Sequence, residues 1–424
     1  MLLLFACSTP VEAPATTAPS HTAPSDAPLP PPIPGGPTSG AALQDPTGFP
    51  HFHDLPAPPG PAPGDTGAWS RATRVTTGPA GGYRPQVAVG PDGAAHLVYY
   101  DRVDAGDLIR YRTVQGGRLS GAERLGFAEG RNWGPDLVVR DDGSVVVVFD
   151  LAGDDMASRG YVTVRTSSWS EPLPLTPEGA YEIGSGHVAD GLDGRLAYVF
   201  IGKPLDPKAR FRAQGAWFDG SAWSSPVAFN DGRQDAWHFN VERRPDGSVL
   251  GGYDVGMGGT DRTTLYVVEG RAGRFGGPEQ LTTLNGERPH FAFAPDGTDH
   301  VTFFRKDATS RPQWVHVVSG TPGSWGDPQT PSAGVGGFHF DPDIAVAPDG
   351  TLCLVWGWDA GDDAELLYSL HAGQGWSPPA KIADVDWGKP GLPSLDVDAD
   401  GRFHVVWNQG VAGDNAVYYA TLEP

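Results

Sequence analysis

The sequence predicts an all-β fold: a seven-bladed β-propeller over residues 67–424, preceded by a disordered, Pro-rich leader. Three observations predict it. An Asp-Gly pair returns seven times, an aromatic residue follows each pair at one fixed distance, and the composition suits many short strands. Glycine and proline supply 59 and 42 of the 424 residues, while 13 Trp, 12 Tyr and 18 Phe remain to build a core. A chain of this length also exceeds what one hydrophobic core usually fills, which favours repeats.

The leader comes first. Residues 8–66 hold 17 of the prolines and no Lys or Arg, so they bury too little apolar surface to fold and read as an extended linker. Residues 1–7 end in Leu4-Phe5-Ala6-Cys7, which resembles the lipobox of bacterial lipoproteins; the resemblance implies a truncated signal remnant with Cys7 as the lipidated residue. The expected location is then the bacterial cell envelope, anchored by lipid at the outer membrane or cell surface, with secretion as the alternative. Membrane contact is expected only through that anchor. His51-Phe52-His53-Asp54 could chelate a metal, but two histidines in a linker are more often incidental, and no metal site is assigned. Cys353, inside the apolar run LCLVW, reads as a buried, inert thiol.

The repeat begins after residue 80. Its Asp-Gly pairs fall at Asp92, Asp142, Asp193, Asp246, Asp296, Asp349 and Asp400, spaced 50, 51, 53, 50, 53 and 51, a propeller period. Each copy reads as strand, tight turn, strand: Pro presets φ, Asp bonds back to the backbone and Gly takes the positive φ. Seven residues beyond each Asp stands Tyr99, Phe149, Phe200, Tyr253, Phe303, Trp356 or Trp407. One aromatic in every repeat, within an apolar strand, reads as core between blades.

A second register marks the outermost strands. Trp169, Trp223, Phe275, Trp325 and Trp376 are each followed three residues on by proline, a residue tolerated on sheet edges, and Leu119 with Ala122 and Trp69 with Ala72 are weaker copies. The first of these precedes the first inner strand, and the last blade lacks one. Residues 67–77 are therefore expected to complete the last blade, over residues 390–424, and to close the ring.

Strings such as GSAWSSPVAF and SSWSEPLPL resemble worn Asp-box repeats of the sialidase-like superfamily. Tyr83-Arg84-Pro85 is similar to the Arg-hydrophobic-Pro opening of sialidases without its middle residue, and Arg288-Pro289 repeats it, which points to repeat register. Sialidases have six blades, and their arginine cluster and Tyr/Glu pair find no matching positions. GGFHFDPDIAVAPDG is similar to a His-containing segment of seven-bladed polysaccharide lyases, and the Gly-Trp-Ser-like turns are similar to those of propeller lectins. The resemblance implies carbohydrate chemistry, with lyases acting through His, Tyr and Arg.

Function is sought on the face opposite the Asp-Gly turns. Six residues before each Asp lies Gln86, Asp136, His187, Asn240, His290, Asp343 or Ser394, a polar ring at the channel mouth, expected first to be strand-start residues that bond loop backbone. Asp107, Asp154, Asp362 and Asp414 follow Ala-Gly and read as Asx turns; no cofactor is expected, and calcium there has no fuller ligand spacing behind it. Repeats 3 to 5 instead carry basic loops (Lys203, Lys208, Arg210, Arg262, Arg305, Lys306, Arg311) together with Glu287. His187, Trp237, His238, Asn240, Arg288, His290 and Arg305 are the expected ligand-binding residues in this cationic, histidine-rich sector.

The net charge of −21 disfavours nucleic acid as a partner. The leading expectation is a monomeric, extracytoplasmic propeller that binds carbohydrate, an anionic polysaccharide above all, with arginines pairing its acid groups and Trp237 stacking on a ring. The alternatives are a polysaccharide lyase or glycoside hydrolase, with His238 or His290 as base, Tyr253 as acid and Arg305 neutralising the uronate, and a scaffold for envelope protein partners.

Overall fold

The structure is a computed structural model that describes residues 62–64, 69–76 and 81–423, apart from 104–105, 128–129, 153–157, 177–180, 192–193, 207, 257–262, 283, 307–311, 362, 384, 386–387 and 412–413. Cys7 and the His51–Asp54 motif lie outside the described residues, as do Asp154, Asp362, Arg262 and Arg311.

Every element among the described residues is a strand. Seven of them open the seven repeats: Gly82–Val89, Gly130–Val139, Tyr181–Asp190, Asp235–Arg243, Gly286–Phe293, Phe338–Val346 and Lys389–Val397. Each pairs antiparallel with the next strand in sequence, and that strand with a third, so every repeat is an antiparallel meander. The opening strands touch one another in order, and Lys389–Val397 touches Gly82–Val89.

The turns form as their residues dictate. Gly93, Gly247 and Gly350 sit at φ 73°, 79° and 89°, a backbone conformation that glycine adopts freely and L side chains rarely do. Asp142, Asp246 and Asp349 each accept the N–H two residues on, at 2.8, 2.9 and 2.8 Å. The seven aromatics beyond the turns are buried, and the core clusters draw on successive repeats: Tyr83, Tyr100 and Tyr111 pack with Leu137, Val147 and Phe149. One cluster joins Val87, Leu97 and Tyr99 of the first repeat to Val406, Val417 and Tyr419 of the last.

The N-terminal segment lies along that last repeat. Thr73–Arg74 pairs antiparallel with Asp414–Leu422, and Trp69 bridges Leu422 while its ring meets Tyr368 edge-on at 5.7 Å. Docking starts earlier than the expected linker boundary at residue 66. Gly64 bridges Ala380, its N–H donating to the Pro379 carbonyl at 2.9 Å, because the outer strand there has an unpaired edge to offer.

Candidate functional site

All seven opening strands slip register where one extra residue bulges against the second strand, at the same point in six of them and slightly earlier, between Ile183 and Ser185, in Tyr181–Asp190. In six of them a residue there takes positive φ: Arg84 (46°), Gly134 (56°), His238 (42°), Arg288 (56°), Asp341 (47°) and Leu392 (47°). Only Gly134 does so without steric cost; each of the others stores about 1–3 kcal/mol of local strain. Proline follows five of the six, as Pro85, Pro135, Pro289, Pro342 and Pro393, which a bulge accepts because its extra residue owes the sheet no N–H. All six bulge residues line one cavity of about 100 Å³ at the strand starts, with Gln86, His187, Asn240 and His290.

Charge is concentrated within this cavity. Arg288 pairs with Asp341 through Nη1 and Oδ1 at 2.9 Å, both largely buried. Arg84 has its Nε buried without a hydrogen-bond partner and its guanidinium 5.6 Å from the Trp133 ring. Burial pulls the Arg84 pKa down and Arg288 adds to the effect, while Tyr100, Asp150 and Asp341 act the other way. His238 Nδ1 lies 3.0 Å from Oδ1 of fully buried Asp254, which also accepts the Arg288 N–H at 3.3 Å. Burial drives both members of that pair toward neutrality: Asp254 is pushed up to about 8 and His238 down to about 3, the latter helped by Arg288. With Nδ1 so engaged, Nε2 is the open edge of the His238 ring.

The polar ring one step deeper stitches the repeats together. Asp136 accepts the Val188 N–H at 2.9 Å, Asp343 the Leu395 N–H at 2.7 Å and Ser394 the Val87 N–H at 3.1 Å, each in the following repeat. Its histidines are held by the same carboxylates, His187 3.4 Å from Asp136 and His290 3.1 Å from Asp343, with Asn240 3.0 Å from His290. Three of the seven thus bond the backbone of the next opening strand, where loop backbone was expected.

Of the expected site residues, His187, His238, Asn240, Arg288 and His290 meet in the cavity. Three do not. Tyr253 is core: it is 1% exposed, stacks on Tyr266 and donates its hydroxyl to the Phe229 carbonyl at 3.2 Å, and burial pushes its pKa up, so it cannot serve as an acid. Trp237 packs on Phe211 at 5.6 Å, because the bulge turns its neighbour His238, not Trp237, toward the cavity. Arg305 pairs in register with Gly286 and Trp314 and is not among the cavity residues.

The basic sector is also neutralised locally. Lys306 pairs with Glu287 at 2.7 Å and Arg210 with Asp235 at 2.8 Å. Asp107 is no Asx turn but a largely buried carboxylate between Arg102 (3.7 Å) and Arg131 (3.6 Å). Sequence reasoning missed Arg84 and Asp341 as site residues. The X-Pro pair, at one register in five opening strands, is the signal that finds them.

No protein-family model matches the sequence, and no curated protein sequence matches it. Solved structures match in fold. An ulvan lyase, described as a new polysaccharide lyase family and bound to -[GlcA(1-4)Rha3S]-, is 12% identical at a TM-score of 0.59, over 87% of this chain and 96% of its own. The α-L-arabinanase of Penicillium chrysogenum, complexed with arabinobiose, is 11% identical at a TM-score of 0.54, over 84% and 99%. A protein of unknown function from Dyadobacter fermentans is 16% identical at a TM-score of 0.52, over 84% and 98%. The likeness is one of fold: all-β, in several mainly antiparallel sheets, and similar to propeller enzymes.

Proposed function

We propose that this protein is an extracytoplasmic glycan-binding protein: a seven-bladed propeller, closed by its N-terminal strand on the last repeat, whose cavity takes an acidic sugar residue. One observation carries the reading, the convergence of Arg84, His238, Arg288 and Asp341 on a single cavity from strained bulge positions. Strain of this kind persists where the surrounding structure over-determines it, and it gathers at ligand clamps. Arg288 disfavours the charge on buried Arg84, and an arriving carboxylate or sulfate would offset that repulsion beside the Arg288–Asp341 pair. Structures similar in fold were solved with arabinobiose and with a glucuronate-containing saccharide, which supports a sugar as the ligand. Lipidation at Cys7 would hold this cavity at the cell surface; loss of membrane association in Cys7→Ser, compared with the unsubstituted chain expressed behind the same lipoprotein signal sequence, tests that part.

The His238–Asp254 pair favours a second reading, a lyase or hydrolase with Nε2 as the base. Against it, none of the residues that line the cavity is a tyrosine, so the acid first assigned to Tyr253 has no replacement there. A panel of immobilised and soluble polysaccharides separates the readings. Retention with neither new ultraviolet absorbance nor new reducing ends means binding, absorbance from unsaturated ends means a lyase, new reducing ends without absorbance mean a hydrolase, and no retention and no product overturns both readings in favour of the envelope-protein scaffold.

A further inference from the structure

Gly134 stands where other repeats place Arg84, His238, Arg288, Asp341 or Leu392, so among these six bulge residues of the cavity it alone brings no side chain and leaves a gap. Behind that gap, outside the cavity lining itself, stands the Asp150 carboxyl, with Arg84 beside it. A Cβ built on Gly134 would lie 3.4 Å from Asp150 Oδ2 and 3.9 Å from Arg84 Nη1. Asp150 Oδ2, Arg84 Nε, the Tyr100 hydroxyl and the Trp133 indole N–H are all buried without a hydrogen-bond partner. Asp150 and Tyr100 are 1% and 0% exposed, so water from the bulk does not satisfy them freely. Asp150 Oδ1 has only a long contact with the Tyr198 hydroxyl, at 3.4 Å.

We propose that this gap is a subsite for one hydroxyl group of the bound sugar, which accepts from Arg84 and exchanges a second hydrogen bond with Asp150. The proposal rests on the reading of the cavity as a sugar site and adds to it a residue that selects among sugars. A hydroxyl fits because it is donor and acceptor at once. A second anion does not, since it would face Asp150. Burial pushes the Asp150 carboxyl up to about 7, so near neutral pH it can also donate. A sugar lacking that hydroxyl leaves buried polar atoms unpaired, the arrangement that discriminates most strongly between close analogues.

The test fills the gap. Gly134→Ala should fold, because five non-glycine residues hold the same φ in other repeats. Asp150→Leu is the second variant, and it removes the carboxyl without filling the gap. The probes are the methyl glycosides of glucuronate and galacturonate, their neutral parents, and the monodeoxy analogues of each, titrated calorimetrically. One hydroxyl position should matter: its deoxy analogue binds wild type at least tenfold more weakly than the parent sugar. Both variants should lose the parent sugar at least tenfold and bind that analogue as wild type does. Equal losses for every analogue, or parent binding unchanged in both variants, overturns the subsite while leaving the sugar site standing. Binding of neutral sugars alone, with the same signature, supports the subsite and overturns the acidic-sugar reading. Binding of none of the probes by wild type overturns both.

Discussion

His238 and Asp254 come from paired strands of one repeat, and their side chains meet at 3.0 Å only because a bulge rotates His238 to φ 42°. Histidine is an unfavourable residue for that conformation, and glycine is the favourable one. His238→Gly should therefore be more stable than His238→Ala by about 1 kcal/mol, reversing the usual order for a strand, while both lose ligand. Urea unfolding of the two variants checks this. An alanine variant as stable as the glycine variant would mean that the position carries no strain.

Buried Asp150 contributes a loss of stability as pH rises from about 4 to 7, opposite in sign to the buried histidines. Burial raises Asp150 to about 7, above its unfolded value near 4, so as pH rises through this window the unfolded chain releases its proton first and stability falls. The loss is on the order of 4 kcal/mol by pH 7. Asp150→Asn should remove this contribution, so that between pH 4 and 7 its urea midpoint gains, relative to wild type, close to one proton's slope with rising pH. An unchanged slope would mean that Asp150 is not buried as a neutral group.

The acid limb belongs to buried histidines. His339 accepts the Trp356 indole N–H on Nδ1 at 3.0 Å and turns Nε2 to the Val335 carbonyl at 3.3 Å, so the ring is neutral, and burial lowers its pKa to about 4. Below about pH 6.5 the unfolded chain takes up the proton first, and stability falls until about pH 4, by roughly 3 kcal/mol. His339→Gln can keep both bonds without titrating. Its acid limb should be shallower by close to one proton than that of wild type, and a slope equal to wild type would sink the assignment.

Much of the fold was legible in the sequence because the turn chemistry is local. Asp246 and Gly247 need only their own backbone to make the hairpin, and Tyr253 seven residues on follows from strand alternation. The site was less legible. His238 and Trp237 are adjacent in sequence, and an alternating strand cannot say which faces the cavity once a bulge intervenes. Arg84 was set aside as repeat register, yet the repeat register is what brings it to the site: the bulge recurs in every opening strand, and the residues placed there differ. The pairings of Lys306 with Glu287 and Arg210 with Asp235 join residues 19 and 25 apart, which a count of basic loops does not see.

The N-terminal segment should be separable from the leader. Removing residues 1–61 should leave the melting temperature unchanged. Removing residues 1–76 takes away Trp69, fully buried Val75 and the pairing with Asp414–Leu422, and should lower it by several degrees and expose apolar surface to a dye. Equal melting of the two truncations would contradict the closure proposed for the last repeat.

The most direct test of the central claim is the affinity of purified protein for an acidic polysaccharide, pectate or ulvan, against neutral dextran, compared across Arg84→Gln, Arg288→Gln and Arg305→Gln. Removing one charged hydrogen bond from an enclosed site costs about 1.5–3 kcal/mol, a tenfold or larger loss. Arg84→Gln and Arg288→Gln should each weaken acidic-glycan binding at least tenfold, with weak dextran binding throughout and the Arg305→Gln variant within twofold of wild type. Full binding by the first two variants, or loss only in Arg305→Gln, would contradict the account.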